Sequence, residues 1–269
     1  MTDPEMDHPG PHPQEIERAA GFLRECRSLI FVTGAGISAD SGIPTYRGVG
    51  GLYDVDPTED GMPIEKVLSG NTMRRDPALT WKYLGQIESA CRGARFNRAH
   101  AVVAEMENHF ERVWTLTQNV DGFHRAAGSR NVIDIHGDLH RLMCTACAFR
   151  ETVEDFRHLE LPPLCPRCEA MLRPDVVLFG EMLPLDKLQR LKEELAVGFD
   201  CVFTVGTSSL FPYISGPVEA ARRMGRPTVE INPGSSDVSH LVDVKVPLGA
   251  ARGLDLIWSC YREQEKVPA

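Results

Sequence analysis

Two pairs of cysteines have the spacing of a metal site. Cys144 and Cys147 form one Cys-x-x-Cys pair, Cys165 and Cys168 form the second, and 17 residues (148–164) lie between the pairs. Each pair places two sulfurs on one turn, and two pairs complete a tetrahedral Zn²⁺ site with Zn–S distances of about 2.3 Å. Because four cysteine ligands leave no position for water, we expect one structural ion that holds a small ribbon together.

A glycine-rich stretch has the composition of a phosphate-binding turn. It begins with Gly34-Ala35-Gly36, continues to Gly48, and follows an apolar run at residues 28–32 that predicts a buried strand. Small residues after a strand let free backbone N–H groups approach a phosphate. The stretch lacks the third glycine of the dinucleotide fingerprint and the Gly-Lys-Ser/Thr of a Walker loop. A tight turn after a strand therefore stays an alternative interpretation.

Further apolar runs also end in small or polar residues. They lie at residues 113–117, 131–135, 201–205 and 228–231, with a helix at 216–224 between the last two. Strands of this kind, interleaved with helices, predict an α/β fold with an open parallel sheet, whose ligands bind beyond the carboxyl ends of the strands. His136 follows one of these runs. Its ordinary pKa suits proton abstraction near neutrality, although a structural histidine is the alternative interpretation.

Composition and charge narrow the classes of ligand. The chain has 269 residues, 42% apolar content and a formal net charge of −9. The negative charge disfavours sequence-independent binding to nucleic acid. No apolar run reaches the roughly 18 residues of a membrane span, and the first residues lack the pattern of a signal peptide. We therefore expect a cytoplasmic protein with no membrane or nucleic-acid partner. The sequence is compatible with a monomer and leaves the oligomeric state open.

Local patterns predict how the rest of the chain is organised. Residues 1–13, rich in proline, predict a disordered tail, and residues 14–27 have the period of an amphipathic helix. Residues 49–80 predict a long functional loop with short helices. Asn97 is a candidate N-cap of a helix through Phe110. The remaining cysteines lie in apolar or helical contexts and are expected to be reduced core thiols: Cys26, Cys91, Cys201 and Cys260.

Taken together, the motifs resemble the sirtuin family of NAD-dependent protein deacylases. The resemblance extends from residue 33 to about residue 250 and includes both Cys-x-x-Cys pairs. The other matching motifs occur in the family's order: Gly34-Ala35-Gly36-Ile37-Ser38, Gly42-Ile43-Pro44-Thr45-Tyr46-Arg47, Thr117-Gln118-Asn119-Val120-Asp121, His136-Gly137, Pro174-Asp175-Val176-Val177-Leu178-Phe179-Gly180-Glu181, Gly206-Thr207-Ser208 and Ile231-Asn232. The resemblance implies a Rossmann-like NAD-binding domain at residues 14–137 and 175–269, with helices on both faces of its sheet. A zinc-ribbon domain would be inserted at 138–174, with a contribution from the loop at about 49–80.

The resemblance also implies which residues hold NAD. Ala35 and Ser38 would lie against the pyrophosphate, and Arg47 with the loop after it would close over the cofactor. The nicotinamide and its ribose would be lined by Gln118, Asn119 and Asp121. The phosphate and adenosine side would be held by Gly206, Thr207, Ser208 and Asn232, with Ala250 and Ala251 near the adenine. The expected cofactor site also includes Gly34, Gly36, Ile43 and Tyr46.

Catalysis is assigned by the resemblance to His136 and Asn119. The acyl oxygen of a modified lysine would attack C1′ of the nicotinamide ribose and expel nicotinamide. His136 would act as the general base on a ribose hydroxyl, which takes up the acyl group. The expected products are free lysine, nicotinamide and O-acyl-ADP-ribose. The expected cofactors are NAD, as co-substrate, and one structural Zn²⁺.

Residues 176–181 are expected to bind the acylated protein or peptide. Their alternation predicts the edge of a strand, and the resemblance implies that the substrate backbone pairs with it. The contributing residues would be Val176, Val177, Phe179, Gly180 and Glu181. Sirtuins that remove succinyl groups carry a Tyr-x-x-Arg pair after the glycine loop, whereas here Gln86 stands three residues after Tyr83. We therefore expect neutral acyl groups, acetyl or longer. Tyr46 and the turn Gly50-Gly51-Leu52-Tyr53 also depart from the common family pattern, and the acyl preference is expected to be encoded there.

Other functions would use part of the same pattern. Mono-ADP-ribosyl transfer would need the same NAD site up to the release of nicotinamide. A non-catalytic NAD sensor or zinc-ribbon interaction module would not need the chemistry of His136. A dehydrogenase is disfavoured by the incomplete glycine fingerprint, although Asp54 lies about 20 residues beyond Gly34, where a ribose-binding acid would fall.

Overall fold

The structure is a computed structural model that describes residues 13–43 and 58–265. Its strands are, in chain order, β1 (Ser28–Thr33), β2 (Arg112–Thr117), β3 (Val132–Asp134), β4 (Gly137–Cys144), β5 (Arg150–Thr152), β6 (Leu172–Val176), β7 (Cys201–Val205), β8 (Thr228–Ile231) and β9 (Val244–Val246). Its α-helices are α1 (Pro13–Arg24), α2 (Ile64–Val67), α3 (Gly70–Arg75), α4 (Pro77–Cys91), α5 (Arg98–His109), α6 (Phe123–Ala126), α7 (Leu185–Val197), α8 (Pro212–Arg223) and α9 (Ala250–Glu265). Two short 3₁₀ turns, Ala35–Ile37 and Ala39–Ser41, follow β1.

The larger sheet is open and parallel. Its strand order is β3-β2-β1-β7-β8-β9, and every neighbouring pair runs parallel. The strand order reverses between β1 and β7, so the chain leaves β1 towards one half of the sheet and β7 towards the other. A crevice beyond the carboxyl ends of the strands forms at such a reversal. The predicted fold class is confirmed.

Helices cover both faces of this sheet because side chains alternate along each strand. Leu29 and Phe31 of β1 pack in a core with apolar residues of α1, α5 and α9. Ile30 and Val32 point to the opposite face, where they pack with residues of α7 and α8. Burial on both faces explains why β1 reads as a continuous apolar run rather than an alternating one.

The smaller sheet is antiparallel, in the order β5-β4-β6. Its core includes Leu142 and Leu172 and continues into α2, α3 and α4. Trp81 of α4 is fully buried there, and its indole N–H donates to the carbonyl of Leu172 at 3.2 Å. Helices α2, α3 and α4 therefore pack on the smaller sheet, whose strand β4 ends at Cys144. The exact domain boundaries stay a prediction.

Most predicted elements are present with shifted ends. The first helix ends at Arg24 rather than at residue 27, and the helix predicted at 216–224 begins earlier, at Pro212. Asn97 caps α5 as predicted, since its side chain accepts a hydrogen bond from Ala99 N–H at 2.9 Å. β9 was not predicted, because Lys245 interrupts its apolar pattern. Of the predicted tail, residues 1–12 lie outside the described residues and Pro13 begins α1.

One prediction was wrong in part. The run at residues 176–181 was expected to be a strand edge, but β6 ends at Val176. Beyond it, Phe179 makes an isolated bridge with Ser69, and Gly180 has a left-handed φ of +77°. The segment turns because its last residue, Glu181, folds back to accept a hydrogen bond from Leu178 N–H at 3.0 Å.

No described helix combines the length and apolar character that a bilayer crossing demands.

Candidate active site

The turns after β1 and β7 are in direct contact. Gly34 N–H donates to the carbonyl of Val205 at 3.2 Å, and a Cβ on Gly34 would lie 2.9 Å from the carbonyl oxygen of Gly206. Gly206 itself has a φ of +57°, a conformation that glycine adopts without strain. Glycine is therefore required at position 34 because the backbone of the turn after β7 lies so close to it. Placement of these glycines against a phosphate stays a prediction.

Most backbone N–H groups in the turn after β1 already donate hydrogen bonds within the protein. The N–H groups of Gly34, Gly36, Ile37 and Ser38 donate to the backbone carbonyls of Val205, Gly206, Gly34 and Ala35. The expectation of a row of free N–H groups is therefore wrong for these four residues. The physical reason is that the two turns satisfy each other's backbone, and 3₁₀ geometry satisfies the rest.

A buried polar cluster joins the first turn to the end of β2. Ser38 Oγ donates to Asp121 Oδ2 at 2.7 Å, and Asn119 Nδ2 donates to Ser38 Oγ and to the carbonyl of Gly34, both at 3.1 Å. Ser38 and Asn119 are 1% and 4% exposed. Burial raises the pKa of Asp121, against the hydrogen bonds that Phe123 N–H and Ser38 Oγ donate to its carboxylate. The structure thus brings three predicted site residues together.

This cluster forms one wall of a cavity of about 430 Å³. Ala35 and Ile43 of the glycine-rich stretch also line it, as do Cys91 and His140. The volume falls in the range of roughly 300–1,000 Å³ that is usual for small-molecule pockets. A hydroxyl, an amide and a carboxyl converge in it, so it suits a small ring that carries a group able both to donate and to accept hydrogen bonds.

His136 lies between β3 and β4, at the same edge of the sheet. Its Nδ1 is 3.0 Å from the carbonyl of Gln118, and its Nε2 is 2.8 Å from the hydroxyl of Tyr213. A carbonyl can only accept, so Nδ1 carries the hydrogen and Nε2 keeps its lone pair. Burial lowers the pKa of His136, although the Gln118 carbonyl opposes this. The imidazole is therefore neutral at pH 7 and can take up a proton at Nε2.

Gly137, the residue after His136, lies where the backbones of β4 and β6 approach each other closely. Gly137 has a φ of +93°, and a Cβ there would lie 1.8 Å from the carbonyl oxygen of Asp175. Only glycine fits between β4 and β6 at this point.

The predicted adenosine side forms a second set of contacts. Gln118 Nε2 donates to Thr207 Oγ1 at 2.9 Å, and Asn232 Nδ2 donates to the carbonyl of Thr207 at 3.1 Å. The carbonyl of Ser208 accepts from Asp237 N–H at 3.0 Å. Gln118, Thr207 and Asn232 thus link the ends of β2, β7 and β8.

Ala250 and Ala251 begin α9, and the N-terminus of this helix faces the glycine-rich stretch. Asp40 Oδ2 accepts a hydrogen bond from Ala251 N–H at 2.9 Å. This contact was not predicted, because Asp40 is 211 residues from Ala251 along the chain and no local pattern connects the two.

An ion pair between Arg173 and Glu181 holds the predicted substrate segment, residues 176–181. Arg173 donates to Glu181 through Nη1 and Nη2, at 2.7 and 2.9 Å, and also to the carbonyl of Val176 at 2.8 Å. The N–H of Val177 donates to the carbonyl of His136 at 2.8 Å. Glu181 is therefore engaged within the protein, where it fixes the turn at residues 177–181. Arg173 was missed, because no local pattern connects it to Glu181.

The four predicted cysteines form one cluster. Their sulfur atoms all lie within 4.8 Å of one another, with Cys144 3.5 Å from Cys168 and Cys147 3.7 Å from Cys165. A tetrahedron with Zn–S bonds of about 2.3 Å has sulfurs about 3.8 Å apart. Backbone N–H groups of Ala146 and Cys147 also point at the Cys144 sulfur, at 3.3 and 3.4 Å, as expected around a thiolate ligand. The cluster fits one Zn²⁺.

Tyr46, Arg47, Asp54 and the turn Gly50-Gly51-Leu52-Tyr53 lie outside the described residues. Tyr213 is a described residue that sequence reasoning missed. Its signal was a pair of aromatic residues, Phe211 and Tyr213, soon after the polar end of a predicted strand.

A model of the Sir2 family matches residues 34–211. The chain belongs to the Sir2 family. A relative in this family is NAD-dependent protein deacylase 2 of Pseudomonas aeruginosa, 49% identical over 90% of this chain and 94% of the relative. The sirtuin resemblance is confirmed.

Solved Sir2 structures share the fold. A Sir2 homologue in complex with NAD is 33% identical, with a TM-score of 0.81 over 96% of this chain and 97% of that chain. A Sir2 structure with a deacetylated p53 peptide and 3′-O-acetyl-ADP-ribose is 27% identical, with a TM-score of 0.79 over 91% and 97%. The Sir2 fold therefore covers both sheets described above.

Proposed function

We propose that this protein is an NAD-dependent protein lysine deacylase. The observation that carries the proposal is His136, a neutral imidazole with its lone pair on Nε2. Its Nδ1 bonds to the carbonyl of Gln118, the residue before Asn119 of the Ser38–Asn119–Asp121 cluster. The name of the Pseudomonas aeruginosa relative supports the same activity, as do the similar Sir2 structures in complex with NAD and with a deacetylated peptide and 3′-O-acetyl-ADP-ribose. These names favour an enzyme over a non-catalytic NAD-binding module.

The residues present fit NAD as co-substrate. The cavity offers the hydroxyl of Ser38, the amide of Asn119 and the carboxyl of Asp121, a set that suits the carboxamide of nicotinamide. When bound, NAD supplies the glycosidic bond that is cleaved and the ribose that accepts the acyl group. Ala35, Gln118, Thr207 and Asn232 would hold the rest of the cofactor along the same sheet edge.

Asn119, His136 and the cysteine cluster have separate roles in the proposed enzyme. Asn119 is held by Ser38 and Gly34, so its amide is oriented before any ligand binds. His136 takes up a proton at Nε2 from a substrate hydroxyl, as general base. The four cysteines would leave no ligand position open on a bound Zn²⁺, so the ion would stabilise the small sheet and take no part in the chemistry.

We propose that the substrates are lysines with neutral acyl groups in proteins or peptides, with the turn at residues 177–181 contacting the substrate backbone. Tyr83 supports the acyl preference. Its hydroxyl donates to Asp60 Oδ2 at 2.7 Å, and Gln86 Nε2 donates to Glu59 at 3.0 Å. Lys82 Nζ pairs with both acids, at 3.0 Å from Glu59 and 2.7 Å from Asp60. The Tyr83 hydroxyl and the Lys82 ammonium are thus engaged within the protein rather than by a carboxylate on the acyl group.

A peptide panel tests the function. Acetyl-, octanoyl- and succinyl-lysine versions of one peptide are incubated with the protein and NAD, and the products are read by mass spectrometry. We expect deacylated peptide and O-acyl-ADP-ribose from the neutral acyl groups, loss of both in His136→Ala, and retention of both in His158→Ala, which changes an exposed histidine. Faster turnover of the succinyl peptide would contradict the acyl preference. Protein that gains ADP-ribose without deacylation would support mono-ADP-ribosyl transfer instead.

A cytoplasmic location is also proposed. Cell fractionation followed by immunoblotting tests it, and recovery with the membrane fraction would contradict it. The absence of a nucleic-acid partner rests on the net charge of −9 alone and stays a prediction.

A further inference from the structure

The hydroxyl of Tyr213 lies at the atom of His136 that the proposed reaction uses. Tyr213 sits in the first turn of α8, and its Oη is 2.8 Å from His136 Nε2. Burial raises the pKa of Tyr213 to about 12, so the phenol keeps its proton at neutral pH. Nε2 has no hydrogen because Nδ1 carries it towards Gln118. The phenol O–H therefore donates to Nε2.

The ring of Tyr213 is itself held in place. It stacks on Phe211 with ring centroids 5.5 Å apart and an interplanar angle of 10°. Phe211 and Tyr213 both meet the His136 ring edge-on, at 6.4 and 6.0 Å. The imidazole is thus fixed at each ring nitrogen, by a backbone carbonyl on one side and by a packed side chain on the other.

We propose that Tyr213 is a positioning residue, which orients the His136 imidazole through Nε2 and yields this hydrogen bond to the substrate hydroxyl. The inference rests on the proposed function. The Nε2 lone pair accepts one hydrogen bond at a time, so the phenol occupies the place that a hydroxyl substrate takes. The phenol keeps the ring from rotating and keeps the reactive tautomer before substrate arrives, which is the usual value of preorganisation.

The test variant is Tyr213→Phe, which keeps the aromatic ring and its stacking on Phe211 and removes only the hydroxyl. A matched control exists in this chain. Tyr261 Oη lies 2.9 Å from His109 Nε2, on helices α9 and α5. Tyr261→Phe therefore removes a second phenol–imidazole bond away from the site.

The first measurement needs no cofactor. Diethyl pyrocarbonate modifies unprotonated imidazole nitrogens, and mass spectrometry after digestion gives the rate at each histidine. We expect His136 to react about fivefold faster in Tyr213→Phe, the factor that loss of one hydrogen bond provides, and at the wild-type rate in Tyr261→Phe. The ¹⁵N resonance of His136 Nε2, assigned with His136→Asn, should move in Tyr213→Phe alone.

The second measurement is steady-state deacylation. We expect kcat to fall about fivefold or more in Tyr213→Phe with the KM for NAD within about twofold of wild type, because orientation is lost and cofactor contacts are kept. An unchanged His136 modification rate together with an unchanged Nε2 resonance would overturn the proposal. If the wild-type protein does not deacylate any peptide, the proposed function fails, whereas the modification and resonance data still decide the role of Tyr213 at Nε2.

Discussion

Gly36 and Gly206 meet backbone to backbone at the carboxyl edge of the parallel sheet. Gly36 N–H donates to the carbonyl of Gly206 at 2.8 Å, and a Cβ on Gly36 would lie 2.6 Å from the Cα of Gly206. Neither turn can move away without breaking the bond. We therefore predict that Gly36→Ala destabilises the fold by about 1–3 kcal/mol and weakens NAD binding about tenfold or more.

Thermal unfolding and calorimetric titration with NAD check this prediction. The matched control is Gly21→Ala in the interior of α1, where a Cβ meets only the flexible end of Arg24 at 3.2 Å. That variant should be neutral or more stable by up to about 1 kcal/mol, since alanine favours helix. Equal effects of the two substitutions would mean that the contact between the turns carries no energy.

Asp121 is predicted to trade stability for function. Burial raises its pKa, so folding favours the protonated carboxyl. Its stabilising contribution is complete below the unfolded pKa of about 3.9 and is lost as the pH rises through the higher folded value. At pH 7 the buried carboxylate is therefore a net cost. Asp121→Asn should raise the free energy of unfolding by about 1 kcal/mol and lower the rate of NAD cleavage at least tenfold.

Urea denaturation at pH 7 and nicotinamide release measure the two effects. Asp155 provides a control of opposite sign, because hydrogen bonds from Arg157 lower its pKa to about 2. Asp155→Asn should reduce stability. A loss of stability in Asp121→Asn as well would show that its hydrogen bonds to Ser38 and Phe123 outweigh the cost of burial.

The sequence identifies the site better than its supporting contacts. β2 and β3 are apolar runs, and parallel strands put their carboxyl ends at one edge. Asn119 and Asp121 follow β2 and His136 follows β3, so they could be grouped from their positions alone. The contacts of Tyr213 with His136, and of Arg173 with Glu181, depend on how elements pack in three dimensions. The prediction of a strand at 176–181 was wrong for the same reason. The ion pair of Glu181 with Arg173 sets the conformation there, rather than the local β-propensity.

Removal of the metal should loosen the contact between α4 and the small sheet. Trp81 is fully buried at this contact, 5.4 Å from the ring of Phe156 and bonded to the carbonyl of Leu172. Because the cysteine cluster stabilises β4 and β6, we predict that Cys165→Ser lowers the zinc content and exposes Trp81. The measurements are atomic absorption and a red shift of tryptophan emission.

The control for the metal is Cys260→Ser, which changes a half-buried thiol of α9 outside the cluster. It should keep one zinc per chain and the wild-type emission spectrum. Full zinc content in Cys165→Ser would contradict the four-cysteine site.

Arg173 is predicted to affect the peptide and not the cofactor. It donates two hydrogen bonds to Glu181 and one to Val176, and these hold the turn that is proposed to contact the substrate. Arg173→Met keeps the aliphatic stem and removes the guanidinium. The half-buried Glu181 then loses its partner, so the turn should disorder and the KM for the acyl peptide should rise about tenfold.

Steady-state kinetics with peptide and NAD varied in turn separate the two effects. The KM for NAD should stay within about twofold of wild type. Arg150→Met is the matched control, because Arg150 pairs with Asp175 on the exposed side of the same sheet, at 3.2 Å. An equal rise in the two KM values of Arg173→Met would indicate general loss of structure and contradict a local role.

His100 should make the fold sensitive to acid. It is fully buried under the N-terminus of α5, where burial lowers its pKa to about 4. The neighbouring His124 ring, 4.9 Å away, also has a pKa well below its usual value. The unfolded chain binds these protons below about pH 6.5. The stabilising contribution is therefore complete above pH 6.5 and is lost as the pH falls towards the folded values.

Urea denaturation between pH 7.5 and 5.5, with bound zinc measured at each pH, tests this prediction. The free energy of unfolding should fall by up to about 1.4 kcal/mol per histidine for each pH unit below about 6.5. His100→Phe keeps the edge-on contact with Phe123 but loses the acceptor for Asn97 N–H, so it should cost about 1 kcal/mol at pH 7.5. Its pH dependence should be shallower by the share of one histidine, whereas exposed His158→Ala should keep the wild-type slope. A wild-type slope in His100→Phe would mean that other groups carry the acid sensitivity.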